Sequence, residues 1–362
     1  AQAVYWSRLY EPHSIARDSH VKEHLKMHDI DAESFNSALL YEPWTVKNQS
    51  GKPFRVFTPF WKSLRHHAPA MPLPAPTQLP AVPAHVESDP LERLGLLPRI
   101  AWHQGITEHW DIGEAGAQQA LRQFLRETVK NYKDGRDRPD LSLTSRLSPY
   151  LHHGEISPRS IAYAVQAHID TYPADANDCE KFMAEIGWRE FAHHLLYHYP
   201  HTPTQALDVR FNHVPWRSES VHLSAWQQGN TGIPIVDAGM RELWHTGIMH
   251  NRVRMLVASL LTKNLLIHWQ VGARWFWDTL VDANLASNTL GWQWVAGCGA
   301  DAAPYFRIFN PVLQGQKFDP DGAYVRQWVP ELREVPNALT HTPWLLPESV
   351  FQTLNYPKPI VD

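Results

Sequence analysis

The chain has 362 residues, 43% of them hydrophobic, and a formal net charge of −4, which suits about two or three domains with a sizeable core. No stretch approaches the roughly 18 apolar residues needed to cross a bilayer, and no basic region followed by an apolar one marks a secretory signal. The charge gives no support for nucleic-acid binding through bulk attraction, although a local basic face stays open. Two cysteines, Cys179 and Cys298, and 22 scattered histidines form neither a disulfide framework nor a HExxH or CxxC pattern, so no metal site and a reducing, cytoplasmic setting are expected.

The chain opens without Met on AVYWSRLYEP, which predicts a β-strand running into a turn. A helix follows over about 16–27, and the segment ends near Asp29. One strand and one helix cannot bury a core alone, so residues 1–35 are expected to be the end of a truncated α/β, Rossmann-like unit. If the truncation is real, an exposed apolar patch should mark where the rest of its sheet would pack. Residues 36–113 are expected to form an extended linker, densest in proline over 68–98, because proline fixes φ and removes a donor.

From 114 to 362 the pattern turns helical. AGAQQALRQFLRETV has helical apolar spacing. SPRSIAYAVQAHI follows, with Ser157 as N-cap and Pro158 at the first helical position. Further helices are predicted near 178–198, 235–246, 251–267 and 272–281. Strand-like alternation is scarce, so the fold class is mostly α.

Four segments carry candidate chemistry. TSRLSPYLHHGEISPR (144–159) supplies the hydroxyls of Thr144, Ser145 and Ser148, the cation of Arg146 and a Ser-Pro helix start; it is either an anion site at a helix N-terminus or a set of plain caps. AEIGWREF puts Glu185 and Trp188 on one helix face, with Arg189 beside them. HNRVRM puts Asn251 and Met255 on one face, with Arg254 next to it. Carboxylate, amide, thioether and indole suit a pocket for a flat polar ring such as a nucleobase, while Trp188 and Met255 taken singly suit a core. VDANLASN offers Asp282, Asn284 and Asn288, either as partners for a ring cofactor or as turn and cap residues. GWQW sets Trp292 and Trp294 two residues apart in a chain of 16 tryptophans. Positions i and i+2 face different sides, so the two indoles are expected to serve different surfaces.

In this order and spacing, TSRLSPYLHHGEISPR, WREF, TGIPIVDAGMREL, MHNRVRM, GWQW and DAAPYFRIFNP resemble the cryptochrome/photolyase family, most closely the class I cyclobutane-pyrimidine-dimer DNA photolyases. The likeness spans about 1–362 and is dense from Tyr132 to Trp328. It implies an all-helical FAD-binding domain preceded by the remnant of an antenna domain. Tyr132, Thr144, Ser145, Arg146, Leu147 and Ser148 fall at the family's phosphate-side positions. Arg189, Asn251, Arg254, Asp282, Asn284 and Asn288 fall around the rest of the flavin. Asn288 matches the residue beside flavin N5, and Asn284 stands where many relatives carry Asp, an exchange expected to keep a hydrogen bond but lose a charge.

The resemblance also implies light-driven repair, in which excited, reduced, anionic FAD donates an electron to a flipped-out dimer. Glu185 would hydrogen-bond the dimer, Trp188 and Trp294 would flank it, and Asn251 and Met255 would complete the pocket. Arg136 matches a position near DNA phosphate. Trp216, Trp269 and Trp292 match a chain that passes electrons to oxidised flavin. The partner implied is UV-damaged DNA, bound by a monomer in a bacterial cytoplasm. Relatives carry an antenna chromophore, methenyltetrahydrofolate or a deazaflavin; Glu11 resembles an antenna-contacting residue, but antenna binding is doubtful where most of that domain is missing. A cryptochrome photoreceptor, a (6-4) photolyase and a flavin-free helical interaction module are the alternatives. The pocket residues and the absence of a long tail after Asp362 favour repair over the first. The Asn251 and Met255 pattern, in place of a histidine pair, favours the cyclobutane class over the second.

Overall fold

Valine and aromatic residues at the start of the chain form strand β1 (Ala3–Ser7). Pro12, whose φ is preset for a first helical turn, starts helix α1 (Pro12–Met27), earlier than predicted. A second strand, β2 (Asp31–Phe35), pairs in parallel with β1, with Ala3 opposite Asp31 and Ser7 opposite Phe35. The sequence reading ended this segment near Asp29 and missed β2. The reason is that DAESF turns only Ala32 and Ser34 inward, and neither is a strong strand former. Tyr5, Val21, Met27 and Phe35 are exposed, and Tyr5 meets Phe35 edge to face at 5.9 Å. The β-α-β unit therefore carries apolar surface.

The structure, a computed structural model, describes residues 2–67, 69–83, 86–218, 220–302, 304 and 307–361. Ala303, Tyr305 and Phe306 of the DAAPYFRIFNP motif lie outside the described residues.

Residues 36–113 are not extended throughout, which corrects the expectation drawn from their proline content. FTPFWKSL forms helix α2 (Phe57–Leu64). Its Phe57, Phe60, Trp61 and Leu64 recur at i, i+3, i+4 and i+7, the stripe of an amphipathic helix, and Phe60 and Leu64 are buried. The proline-rich part beyond it is mostly exposed, with one 3-10 turn at Leu91–Leu94. The chain returns to the body at helix α3 (Gln104–His109), where Trp102 stacks on Trp244 at 5.9 Å and Trp244 on Trp275 at 6.0 Å.

The remainder is helical: α4 (Glu114–Gln123), α5 (Tyr132–Gly135), α6 (Ser148–His153), α7 (Pro158–Thr171), α8 (Ala176–His198), α9 (Ser220–Gln227), α10 (Pro234–Thr246), α11 (Asn251–Ser259), α12 (Trp269–Thr279), α13 (Leu285–Ala296), α14 (Pro311–Phe318), α15 (Ala323–Trp328) and α16 (Glu348–Thr353). Among the described residues the only further strand pairing is a single bridge between Arg217 and Ile267. No helix among them is long and apolar enough to cross a membrane.

Helix starts follow local chemistry. Ser157 Oγ accepts the Ser160 N–H at 3.0 Å and Pro158 opens α7, as predicted. Asp237, fully buried, accepts from the Thr231 N–H at 2.7 Å, the Gly232 N–H at 3.0 Å and the Tyr356 hydroxyl at 2.5 Å. It thereby ties the start of α10 to the C-terminal segment. One core gathers Trp226, Val236, Leu261, Trp292 and Leu332; another gathers Leu121, Phe124, Leu147, Ile161 and Phe182. Helix α8 packs on α13, and α13 on α12.

Glu190 joins the entry segment to this body. It is 3% exposed, and its Oε2 accepts the Leu40 N–H at 2.9 Å and the Tyr41 N–H at 3.2 Å. Burial pushes its carboxyl up to about 7, against the pull of Arg189 and the two N–H groups. A group whose pKa is raised on folding contributes stability below its unfolded pKa and loses that contribution as pH rises through the folded value. Glu190→Gln keeps an acceptor for both N–H groups but cannot ionise. Relative to the parent, the variant should gain about 3 kcal/mol between about pH 4.5 and pH 8. Paired denaturation curves at several pH values measure this, and parallel profiles would refute it.

Candidate functional site

Segments far apart in sequence meet in one polar ring. Asp282, in the turn between α12 and α13, accepts from Arg254 Nη2 at 2.9 and 3.1 Å and from the Ser148 hydroxyl at 2.7 Å. Arg254 Nε also donates to the Met249 carbonyl at 2.8 Å. The Asp282 carboxylate thus accepts from the Ser148 hydroxyl at the head of α6. Thr144 and Ser145 are half-buried just before it, Leu147 is buried, and Arg146 is exposed. Arg146 takes a φ of 52°, uncommon outside glycine, and its guanidinium lies over the Trp110 ring at 4.6 Å. Tyr132 sits edge-on to Phe124 at 5.5 Å and Phe182 at 5.7 Å, in the same core as Leu147.

Helix α8 closes the ring from the other side. Arg189 donates to the Ala38 carbonyl at 2.5 Å and to the Leu151 carbonyl at 3.4 Å. His193 Nδ1 bonds the Arg189 carbonyl at 2.9 Å, and its Nε2 meets the Asn284 amide nitrogen at 3.3 Å. Burial pushes this histidine down to about 3, so the ring is neutral: Nδ1 carries the proton and Nε2 accepts. Asn284 also caps α13, its Oδ1 accepting the Ser287 N–H at 3.1 Å. The amide at 284 supplies a donor to His193 that an ionised Asp would lack.

Asn288 Nδ2 donates to the Ala273 carbonyl at 2.9 Å, which leaves its oxygen free to meet another group. Asn284, Asn288 and Gly291, at i, i+4 and i+7, share one stripe of α13. A Cβ built on Gly291 meets nothing within 4 Å, so the stripe borders open space. Amides, a guanidinium and hydroxyls around a small-residue stripe form a donor set suited to a flat ring bearing ribose and phosphate, and these residues fit FAD.

The aromatic residues form a second layer. Trp292 is 2% exposed, edge-on to Phe276 at 5.0 Å and Trp226 at 6.2 Å. It lies flush on α12 at Gly272, where a Cβ would come within 2.0 Å of its Cη2. Trp269, one turn earlier on α12, is also buried. His268 stacks on it at 5.6 Å and meets Trp216 edge-on at 5.1 Å. His268, which spacing did not reveal, thus links Trp216 and Trp269, two of the three tryptophans singled out from sequence, and Trp269 and Trp292 share one hydrophobic core. Trp294 is half-buried where Trp292 is buried, in keeping with different surfaces. Between them Gln293, 2% exposed, donates to the carbonyls of Thr202 at 2.7 Å and Gln205 at 2.9 Å and accepts the Leu207 N–H at 3.0 Å. It anchors a loop, and a lone amide between two indoles was the available signal.

At the outer wall, Glu185 is paired with Arg136 and lies 3.5 Å from Lys181. Arg136 is therefore held against Glu185, its side chain 12% exposed. Asn251 is exposed at the start of α11, and Met255 is half-buried one turn on. Arg252, which the sequence reading did not single out, lies 3.9 Å from the Met255 sulfur and pairs with Asp137 at 2.6 Å. Trp188, half-buried, stacks on Phe57 at 3.8 Å between ring centroids. A surface cleft lined by Arg55, Leu207, Asp208, Val209 and Asp301 holds none of the residues picked from sequence.

Comparison with known proteins names the class to which this chain belongs. The family model "FAD binding domain of DNA photolyase" matches residues 182–362, and the model "DNA photolyase" matches residues 1–81. The chain is 45% identical to the deoxyribodipyrimidine photo-lyase of Agrobacterium fabrum, over 100% of its own length and 77% of that protein's. It is 38% identical to cryptochrome-2 of Arabidopsis thaliana, over 100% of this chain and 62% of that one. Its fold superposes on a bacterial class III photolyase from Agrobacterium tumefaciens with a TM-score of 0.96 at 44% identity, covering 100% of this chain and 76% of that one. The chain belongs to the DNA photolyase/cryptochrome family and carries that family's FAD-binding domain.

Asp282 restrains both Arg254 and Ser148, so Asp282→Ala should release two sides of the ring at once. We expect roughly tenfold weaker FAD retention, read as the flavin-to-protein absorbance ratio after dilution. An unchanged ratio would remove Asp282 from the cofactor site.

Proposed function

We propose that this chain repairs cyclobutane pyrimidine dimers in DNA under near-UV or blue light. The observation that carries the reading is that one helix, α8, bears both halves of the site: Arg189 at the polar ring, and Glu185 with Trp188 at the outer wall. The identity to proteins named deoxyribodipyrimidine photo-lyase supports it. Bound FAD, in its reduced form and excited by light, supplies the electron that opens the cyclobutane ring and takes it back.

The chain's own residues bind, orient and stabilise. Thr144, Ser145, Arg146 and Ser148, with Tyr132 and Leu147 packed beneath, serve the phosphate side. Arg189, Asn251, Arg254, Asp282 and Asn284 surround the rest, and the Asn288 oxygen, fixed by the Ala273 contact, favours the reduced ring. Glu185 would hydrogen-bond the flipped-out dimer, and the positive charges of Arg136 and Lys181 held beside its carboxylate would stabilise the dimer's developing negative charge. Arg136, matched to a DNA-phosphate position, would act on DNA chiefly through its charge, since it is held against Glu185 with its side chain largely covered. Trp188 and Trp294 flank the dimer, and Asn251 and Met255 complete its pocket. Extrusion costs least for a base pair that damage has already unstacked. Trp216, Trp269 and Trp292 lead electrons inward to oxidised cofactor. We assign residues 1–35 to the α/β unit, 36–113 to the connection and 114–362 to the FAD and DNA unit.

The likeness to a plant cryptochrome favours one competing reading, a blue-light photoreceptor. A thymine-dimer oligonucleotide incubated with the flavin-loaded chain separates the two: repair in light and none in the dark is expected, whereas flavin absorbance without light-dependent repair would favour the photoreceptor. Trp292→Phe should abolish photoreduction of oxidised FAD while sparing repair by pre-reduced enzyme. Loss of both activities would overturn the relay role.

A further inference from the structure

We infer that Phe57 is a positioning residue for the damaged-base site, backing the Trp188 indole so that its other face is held ready for a base. The inference rests on the reading of Trp188 as a wall of the dimer pocket.

Three rings lie parallel. Phe57 stacks on Trp188 at 3.8 Å with 10° between planes, and Trp61 continues the stack at 6.5 Å and 8° from Phe57. Which face of the indole Phe57 covers follows from the helix itself. At 3.6 residues per turn, α8 places Glu185, Trp188, Phe191, Gly187 and His194 in that order around its circumference. Helix α2 occupies the far end of this series. Phe57 and Phe60 pack on Phe191 at 6.0 and 5.2 Å, and Phe60 on His194 at 5.1 Å. Trp61 lies against Gly187, where a Cβ would come within 2.5 Å of its Cε3. Glu185 stands at the opposite end with Arg136. Trp188 lies between, so Phe57 covers the indole face turned from Glu185 and leaves the face on the Glu185 side.

Helix α2 is itself anchored. Phe60 is 1% exposed, and the Phe57 N–H donates to Asp301 at 3.2 Å, in the loop that follows α13 and its Trp294. The backing ring is thus tied to the helices that carry both proposed indole walls. A side chain that must be ordered when its ligand arrives weakens binding, and a fixed aromatic neighbour removes that cost beforehand.

Equilibrium binding of dimer-containing and undamaged oligonucleotides by the flavin-loaded full chain tests this. Phe57→Leu should lose about three- to tenfold in affinity for dimer DNA, the range of one aromatic pair. Affinity for undamaged DNA, flavin content and photoreduction should stay the same. Phe57→Tyr, which keeps the ring, should retain the preference. Gly187→Ala, which displaces Trp61 and the stack beneath it, should reproduce the loss, and it carries the same test if Phe57→Leu releases flavin. An unchanged dimer preference in the flavin-bound variants, or an equal loss on both DNAs, overturns the positioning role. A parent protein with no preference for dimer DNA overturns the underlying reading as well, which distinguishes the two failures.

Discussion

The polar ring depends on one carboxylate. Asp282, its side chain 6% exposed, joins Arg254 from α11 and Ser148 from α6. A buried charge is costly unless it is paired and hydrogen-bonded, so Asp282, Arg254 and Ser148 are mutually dependent. Together they set the distance between the head of α6, the turn before α13 and the first turns of α11. The neutral His193 then fixes α8 to the head of α13 through Asn284. The ring is an agreement among four helices about where one opening lies.

Close aromatic packing extends this arrangement outward, and it works through the absence of side chains. Gly272 admits Trp292 to the backbone of α12, and Gly187 admits Trp61 to the backbone of α8. In each case the contact distance leaves no room for a Cβ, so the indole plane is set by main chain, which moves less than any side chain would. The proposed relay and the proposed base wall share this device.

Much of the helical body was legible in sequence. Ser157 and Pro158 announced α7, and the apolar spacing placed α8 and α10 within two residues, whereas the helix expected over 251–267 is α-helical only to Ser259 and continues as a π-helical turn to Asn264. Other elements were not legible, among them α9, α13 and α14, which no predicted helix covers, and also β2 and α2. β2 pairs through its backbone with β1 and shows no apolar alternation of its own, so nothing in DAESF identifies it as a strand. α2 has a clear amphipathic stripe, but it lies within a stretch whose prolines suggested an extended chain. Its role emerges only when Phe57 is seen against Trp188.

For the candidate site, residue types and local spacing determined that Glu185 shares a face with Trp188, that Asn251 shares one with Met255, and that Trp292 and Trp294 part company. These are consequences of helical period alone. The motifs in register pointed to the family, which the comparisons then established. Only the tertiary structure decided that Asp282 is the partner of Ser148, 134 positions away in sequence, that Arg136 is drawn to Glu185, that His268 stands between Trp216 and Trp269, and that Gln293 holds a loop and not a ligand. Apart from the chain neighbours His268 and Trp269, each is a contact between elements with no periodic relation in the chain. Helical period orders residues within a few turns, but pairings across the fold depend on how whole helices pack.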